Sequence, residues 1–172
     1  FEKAKNNLLK AISINPKNFM AFYNLGNLHK KLNEIEIAEK YYSNVLEIYP
    51  KFLNAYVNLM DLYERSNQDS KLNEIIIKSQ EHIKNDATIE LFKGNLLYRS
   101  KKYSEVIDKL ESIKFTNQMN KDEMIKEGSR TVTLAKCYDH MDNTDKAFEY
   151  FKITNEINFN SNKDIINKDK FV

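Results

Sequence analysis

One cysteine, two prolines, three glycines and no tryptophan serve a chain of 172 residues. The lone Cys137 has no partner for an internal disulfide and cannot build a cysteine-based zinc site. With so little glycine and proline, an all-β sandwich would lack the turns it needs every ten residues or so, and a helical chain is the expectation. Long apolar runs are missing too. Runs such as Ile75-Ile76-Ile77 fall far short of the roughly 18 to 20 residues of a membrane-spanning helix, so no membrane partner is expected. Nor is there an excess of one charge: 27 lysines and arginines face 25 acidic residues, interleaved along the chain. No one-sided field gathers phosphates, and nucleic acid is not an expected partner. Catalytic signals are equally sparse, with no glycine-rich phosphate loop, no Gly-x-Ser-x-Gly turn, and His29, His82 and His140 scattered. No cofactor, metal site or catalytic residue is expected, and the chain reads as a non-enzyme. It opens on Phe1, inside a structural unit, so its true N-terminus is expected upstream and the missing targeting segment decides nothing; a cytoplasmic protein is the expectation.

What is present is a folding composition, 41% hydrophobic and 30% charged. Lysine supplies 24 of the 27 basic residues, with 22 asparagines and 17 isoleucines, a bias expected when codons are forced toward adenine and thymine. A single asparagine therefore carries little weight by itself. The prolines carry more. Pro16 and Pro50 stand 34 residues apart and close similar phrases, Ala11-Ile12-Ser13-Ile14-Asn15 and Val45-Leu46-Glu47-Ile48-Tyr49. The same step aligns Ala4 with Ala38, Phe1 with Ile35, Leu8 with Tyr42, and Gly26 with Met60 and Gly94. Apolar positions fall three and four apart on two successive helices per period, as in Phe22, Leu25, His29 and then Ala38, Tyr42, Val45. Gly26, Gly94 and Ala135 would let helices approach closely, while Phe22, Tyr42, Tyr56 and Phe151 would fill the space between pairs. His29 is expected in the packed core, and Cys137 as a small core hydrophobe. The spacing predicts nine helices, near 1–13, 18–31, 35–48, 52–65, 69–83, 86–99, 103–114, 119–141 and 144–158. The third first helix is expected to be rotated or irregular, because Glu90 and Lys93 stand where apolar residues belong. The last repeat starts about seven residues late, which predicts a longer first helix or an inserted turn around Thr116 to Lys126.

A 34-residue helix-turn-helix period resembles the tetratricopeptide repeat family. The likeness is most complete over Phe19 to Phe52, with Phe22, Leu25, Gly26, Ala38, Tyr42 and Pro50 at the pattern's positions. It implies an all-α, right-handed α-solenoid of antiparallel helix pairs. The array would cover 1–158: a second helix of a truncated repeat (1–18), repeats at 19–52, 53–86 and 87–120, and a last repeat with an extended first helix at 121–158. A polar tail, read as a frayed helix or a linker, would follow at 159–172. The family's usual role implies a non-catalytic scaffold that holds an extended peptide or partner helix in a concave groove lined by first helices. Here that groove would present Tyr23, Asn24, Asn27, Lys30, Asn54, Asn58, Asp61, Leu91 and Asn95. The family's carboxylate clamp for heat-shock chaperones does not fit, since Tyr23, Thr88 and Phe92 occupy its three basic positions. The asparagine ladder of O-linked N-acetylglucosamine transferase fits for two rungs, Asn24 and Asn58, and ends at Phe92 and Thr133. A side-chain amide both donates and accepts, so such rungs suit a peptide backbone of any sequence. Leu134 to Phe151 also resembles the last repeat before the catalytic domain of bacterial tetratricopeptide sulfotransferases, which implies a substrate-docking module of a larger transferase of sulfotransferase or glycosyltransferase type. Self-assembly into a homo-oligomer through the unpaired helix Phe1 to Ser13 is a third reading.

Overall fold

The computed structural model describes residues 1–115 and 119–168, with side chains through residue 161. Among the described residues there are nine α-helices: α1 (Glu2–Ile14), α2 (Phe19–Lys31), α3 (Ile35–Ile48), α4 (Leu53–Arg65), α5 (Asp69–His82), α6 (Ala87–Arg99), α7 (Tyr103–Glu111), α8 (Lys121–His140) and α9 (Thr144–Lys168). They fall into two compact units, α1–α5 within Phe1–Asn85 and α6–α9 from Asp86 onward. Within each unit every helix packs on the next in sequence, and in the second unit α6 also touches α8.

Each first helix ends on the same backbone device. Asn33, Asn67, Lys101 and Asp142 adopt left-handed φ values of 59, 54, 58 and 57°. The following amide then reaches back five residues, from Glu34 to the His29 carbonyl and from Gln68 to that of Tyr63, both at 2.9 Å. Lys102 to Leu97 (3.0 Å) and Asn143 to Tyr138 (2.9 Å) repeat the bond. This Schellman closure satisfies carbonyls that the helix end leaves open, and asparagine and aspartate tolerate the conformation better than other non-glycine residues. A chain with three glycines thus turns without spending any of them.

The turns also locate the irregular step in the period. Asn33, Asn67 and Lys101 are 34 apart, whereas Asp142 follows Lys101 by 41. The extra seven residues lie in α8, which has 20 residues against 13 in α2, α4 and α6. Of the two alternatives for the late start, the longer first helix is the one observed. Asn120 and Glu123 open α8 with a reciprocal capping box. The added turns give α9 a surface to follow: Gly128 faces Ile157 and Asn158, and the Thr154 hydroxyl donates to buried Thr131 Oγ1 at 2.8 Å.

Several expectations are corrected by these elements. The polar tail expected from 159 continues α9 to Lys168, while 169–172 lie outside the described residues. So do 116–118, within the expected inserted turn. Helix α7 stops at Glu111 instead of near 114. Helix α6 is regular. Asp86 caps it by accepting from the Thr88 and Ile89 amides, and the misplaced Glu90 is neutralised by Lys109 at 2.6 Å. Phe151 is exposed instead of filling a space between pairs.

The small-against-large packing stands where expected. A Cβ on Gly26 would lie 2.6 Å from the Tyr42 ring, and one on Gly94 would lie 2.8 Å from Leu110. Tyr42 and Leu110 are both fully buried. His29 is buried, stacks on Tyr41 with centroids 5.3 Å apart, and pairs through Nδ1 with Glu34 across the turn. Cys137 is buried in the second unit's core, and burial pushes its thiol up to about 11, far from a reactive thiolate.

Glu111, at the end of α7, accepts from the hydroxyls of Tyr138 (2.7 Å) and Tyr150 (3.0 Å), whose rings stack 5.7 Å apart. These bonds, Tyr138's first, hold its carboxyl below the usual glutamate range, and burial pushes the Tyr150 hydroxyl up to about 12. A carboxylate with a lowered folded pKa adds stability that is present above the ordinary glutamate value and is lost as pH falls through the lowered one. Glu111→Gln is therefore expected to flatten the acid limb of stability against pH, measured by urea unfolding between about pH 3 and pH 6. An unchanged acid limb would mean that Glu111 gains nothing from its two tyrosines.

Candidate functional site

The residues expected to line a groove divide between the two units. In the first unit, α2 carries Tyr23, Asn24, Asn27 and Lys30, and α4 carries Asn54, Asn58 and Asp61. Their spacings of three and four set each group on one helical face, and the 34-residue step brings the two faces into register. The Asn58 side-chain amide donates to the Tyr23 hydroxyl (3.3 Å) and to Asn27 Oδ1 (3.2 Å), while its Oδ1 accepts from Lys30 Nζ (2.9 Å). Lys30 also pairs with Asp61 at 2.7 Å, and the other Asp61 oxygen accepts from Arg65 Nε at 2.8 Å. The Tyr42 hydroxyl donates to Asn27 Oδ1 at 2.8 Å and roots the network in the core. Burial, above all, raises the pKa of that hydroxyl, so it stays a donor.

Five of the seven expected residues thus form one hydrogen-bonded network. Asn24 and Asn54 are exposed on the same face outside it. Because Lys30 and Arg65 share Asp61, the face presents amides and a phenol beside a cluster that carries one net positive charge. At its other end Tyr23 meets Phe52 edge-on with centroids 5.0 Å apart, and Phe52 in turn meets Phe19 at 5.3 Å. The surface offers hydrogen bonds in both directions beside an aromatic ledge, with no nucleophile or general base poised for chemistry.

The second unit treats its two residues differently. Leu91 is only 6% exposed and packs in a core cluster with Val106, Ile107 and Leu110, so its place in the expected groove is a correction. The third repeat turns its Leu91 inward to fill the core, which a position-by-position alignment cannot foresee. Asn95 is half-buried and accepts from Thr133 Oγ1 at 3.3 Å.

Sequence reasoning missed Tyr42, Arg65 and Phe52 as parts of this face. Arg65 had a signal, its place four residues after Asp61 on one helix. Tyr42 read as a core filler, and nothing in its spacing says that its hydroxyl reaches Asn27.

With successive helices packed on one another among the described residues and a turn device recurring at 34 and then 41 residues, the protein is an all-α helical repeat. Residues 19–52 match the tetratricopeptide repeat family model, and residues 1–33 match a second model described as TPR repeat. The chain is a tetratricopeptide repeat array. It is similar to the UDP-N-acetylglucosamine-peptide N-acetylglucosaminyltransferase of Giardia intestinalis, with 41% identity over 56 residues. That alignment covers 33% of this chain and 4% of the relative, so the likeness spans a small fraction of the relative's length. Among solved structures it is similar to MamA, with a TM-score of 0.69 and 16% identity, covering 92% of this chain and 89% of that one. It is also similar to YrrB, described as a TPR protein with an unusual peptide-binding site, with a TM-score of 0.56, 16% identity and coverage of 87% and 91%. At these identities the two structures establish the fold alone. No helix among the described residues is long and apolar enough to cross a membrane.

Proposed function

We infer that the protein is a non-catalytic interaction scaffold whose α2–α4 face holds an extended peptide. The observation that carries this reading is the fixed set of amides on that face: Asn58 held by Tyr23, Asn27 and Lys30, flanked by exposed Asn24 and Asn54. Side chains already locked by mutual hydrogen bonds lose little freedom when a ligand arrives, which favours binding. The amide of Asn58 has both hydrogens engaged, so it would meet a peptide N–H through the remaining lone pair of Oδ1, while Asn24 and Asn54 can donate as well as accept. The test is selection from a random peptide library on the purified protein, with a Tyr23→Ala, Asn24→Ala, Asn58→Ala variant as control. Extended peptides enriched by the first and lost by the second are expected. Equal enrichment on both would remove the α2–α4 face from the function.

A second reading makes the array the substrate-docking part of a larger glycosyltransferase, favoured by the 41% identity over 56 residues with a peptide N-acetylglucosaminyltransferase. The two readings share the same peptide-holding face and differ in whether the parent polypeptide carries a nucleotide-sugar site.

A further inference from the structure

The register of the helix pairs defines which face of a second helix is covered by the next first helix. On α7 that face carries Ile107 and Leu110, 8% and 0% exposed, in one cluster with Leu134 and Tyr138 of α8. Forty-one residues later the equivalent positions on α9 are Phe148 and Phe151, and these are 73% and 38% exposed. Phe159, 61% exposed, extends the stripe, since positions 148, 151, 155 and 159 advance by three and four along one helical face. Counted from the starts of α7 and α8, a further first helix would begin at residue 162. Up to Lys168 those residues belong to α9 itself. Residues 162–168 therefore do not double back over the stripe.

We propose that this stripe packs against the same stripe of a second copy of the chain, as an antiparallel pair about a two-fold axis. The stripe is self-complementary in that arrangement. Setting Phe148 against Phe159 of the second copy centres the axis between residues 153 and 154. At the helical rise of about 1.5 Å per residue, Lys152 then lies within about 2 Å, measured along the helix axis, of Glu156 of the second copy. Both side chains are exposed and lie on the same flank of the stripe, and the two-fold axis brings like flanks together. One face thus supplies two ring pairs and two ion pairs, and antiparallel helix dipoles oppose each other favourably. Asn158 puts no charge on the other flank. The three rings offer roughly 300–400 Å² per copy, under half of the ~800 Å² typical of a tight complex. The dimer is therefore reversible, with Kd on the order of ten to a hundred micromolar.

Sedimentation equilibrium from about 1 μM to 1 mM spans that range. The wild-type chain is expected to pass from monomer to dimer. Phe148→Glu combined with Phe159→Glu should weaken association at least about tenfold, with an unchanged thermal unfolding midpoint at low concentration, because both rings are exposed. Ile14→Glu, on the exposed side of α1, should leave association as it was. A Phe148→Cys, Phe159→Cys variant should oxidise to a covalent dimer in the antiparallel register. A wild-type monomer at every concentration overturns the proposal. So does a dimer that survives the double-glutamate change, one that Ile14→Glu dissolves, or one that the paired cysteines fail to join.

Discussion

Replacing Tyr42 by alanine is expected to cost about 4 kcal/mol of unfolding free energy, a large part of what a unit of this size can hold. Its ring is fully buried, fills the space that Gly26 leaves open, and carries the hydroxyl that anchors Asn27. Tyr42→Phe removes only that hydrogen bond and should cost about 1 kcal/mol. The pairing with Gly26 gives a sharper test. Gly26→Ala adds a methyl group 2.6 Å from a locked ring, so overpacking of about 1–3 kcal/mol opposes the roughly 1 kcal/mol that alanine gains in a helix. In the Tyr42→Ala background the clash is gone, and the same Gly26→Ala change should become neutral or stabilising. Chemical unfolding of the four proteins measures the coupling. Additive effects would mean that the two positions do not pack as a pair.

The second large effect belongs to Arg130. Its guanidinium makes two 2.6 Å bonds to the Glu127 carboxylate and one of 3.0 Å to the Leu110 carbonyl near the end of α7, and both charged side chains are nearly buried. These bonds favour the charged form and raise the pKa of the guanidinium. Removing one member of such a pair leaves the other charge buried alone, so Arg130→Ala is expected to destabilise the second unit by about 3 kcal/mol. Replacing both, as Glu127→Leu with Arg130→Met, should cost far less, because no charge is stranded. Thermal unfolding separates the cases: a double variant as unstable as Arg130→Ala would mean that the bond to Leu110 carries the effect and the ion pair does not.

The period was legible in the sequence because it rests on sterics that leave few choices. Pro16 and Pro50 mark where second helices stop, Gly26 and Gly94 mark where helices touch, and polar dipeptides mark the turns. The extension of α9 was hidden because Asn158 to Lys168 is polar by composition, and polarity alone does not separate a solvated helix from a linker. The approach to it packs on α8, itself lengthened by two turns, where Gly128 meets Ile157 and Asn158, so the evidence lay 30 residues away in another helix. Glu90 misled in the same way: its partner Lys109 is on the next helix, and an ion pair lets a charge occupy a packing position. At the candidate site, the face of each residue followed from its register. The hydrogen bonds did not, because Asn58 meets Tyr23 and Asn27 from 35 and 31 residues away. Leu91 shows the limit of register itself, since the same repeat position carries Tyr23 on the α2–α4 face but Leu91 in the core two repeats later.

Peptide holding by the α2–α4 face is tested most directly at Asn24 and Asn54, which are exposed and stand outside the network that supports the fold. Titration calorimetry of a library-selected peptide against the wild-type chain and an Asn24→Ala, Asn54→Ala variant is the measurement. Affinity reduced about tenfold or more, with an unchanged unfolding midpoint, is the expected result, since two hydrogen bonds to a ligand are worth about 1–3 kcal/mol together. Affinity equal to that of the wild-type chain would contradict it and move the binding site off this face.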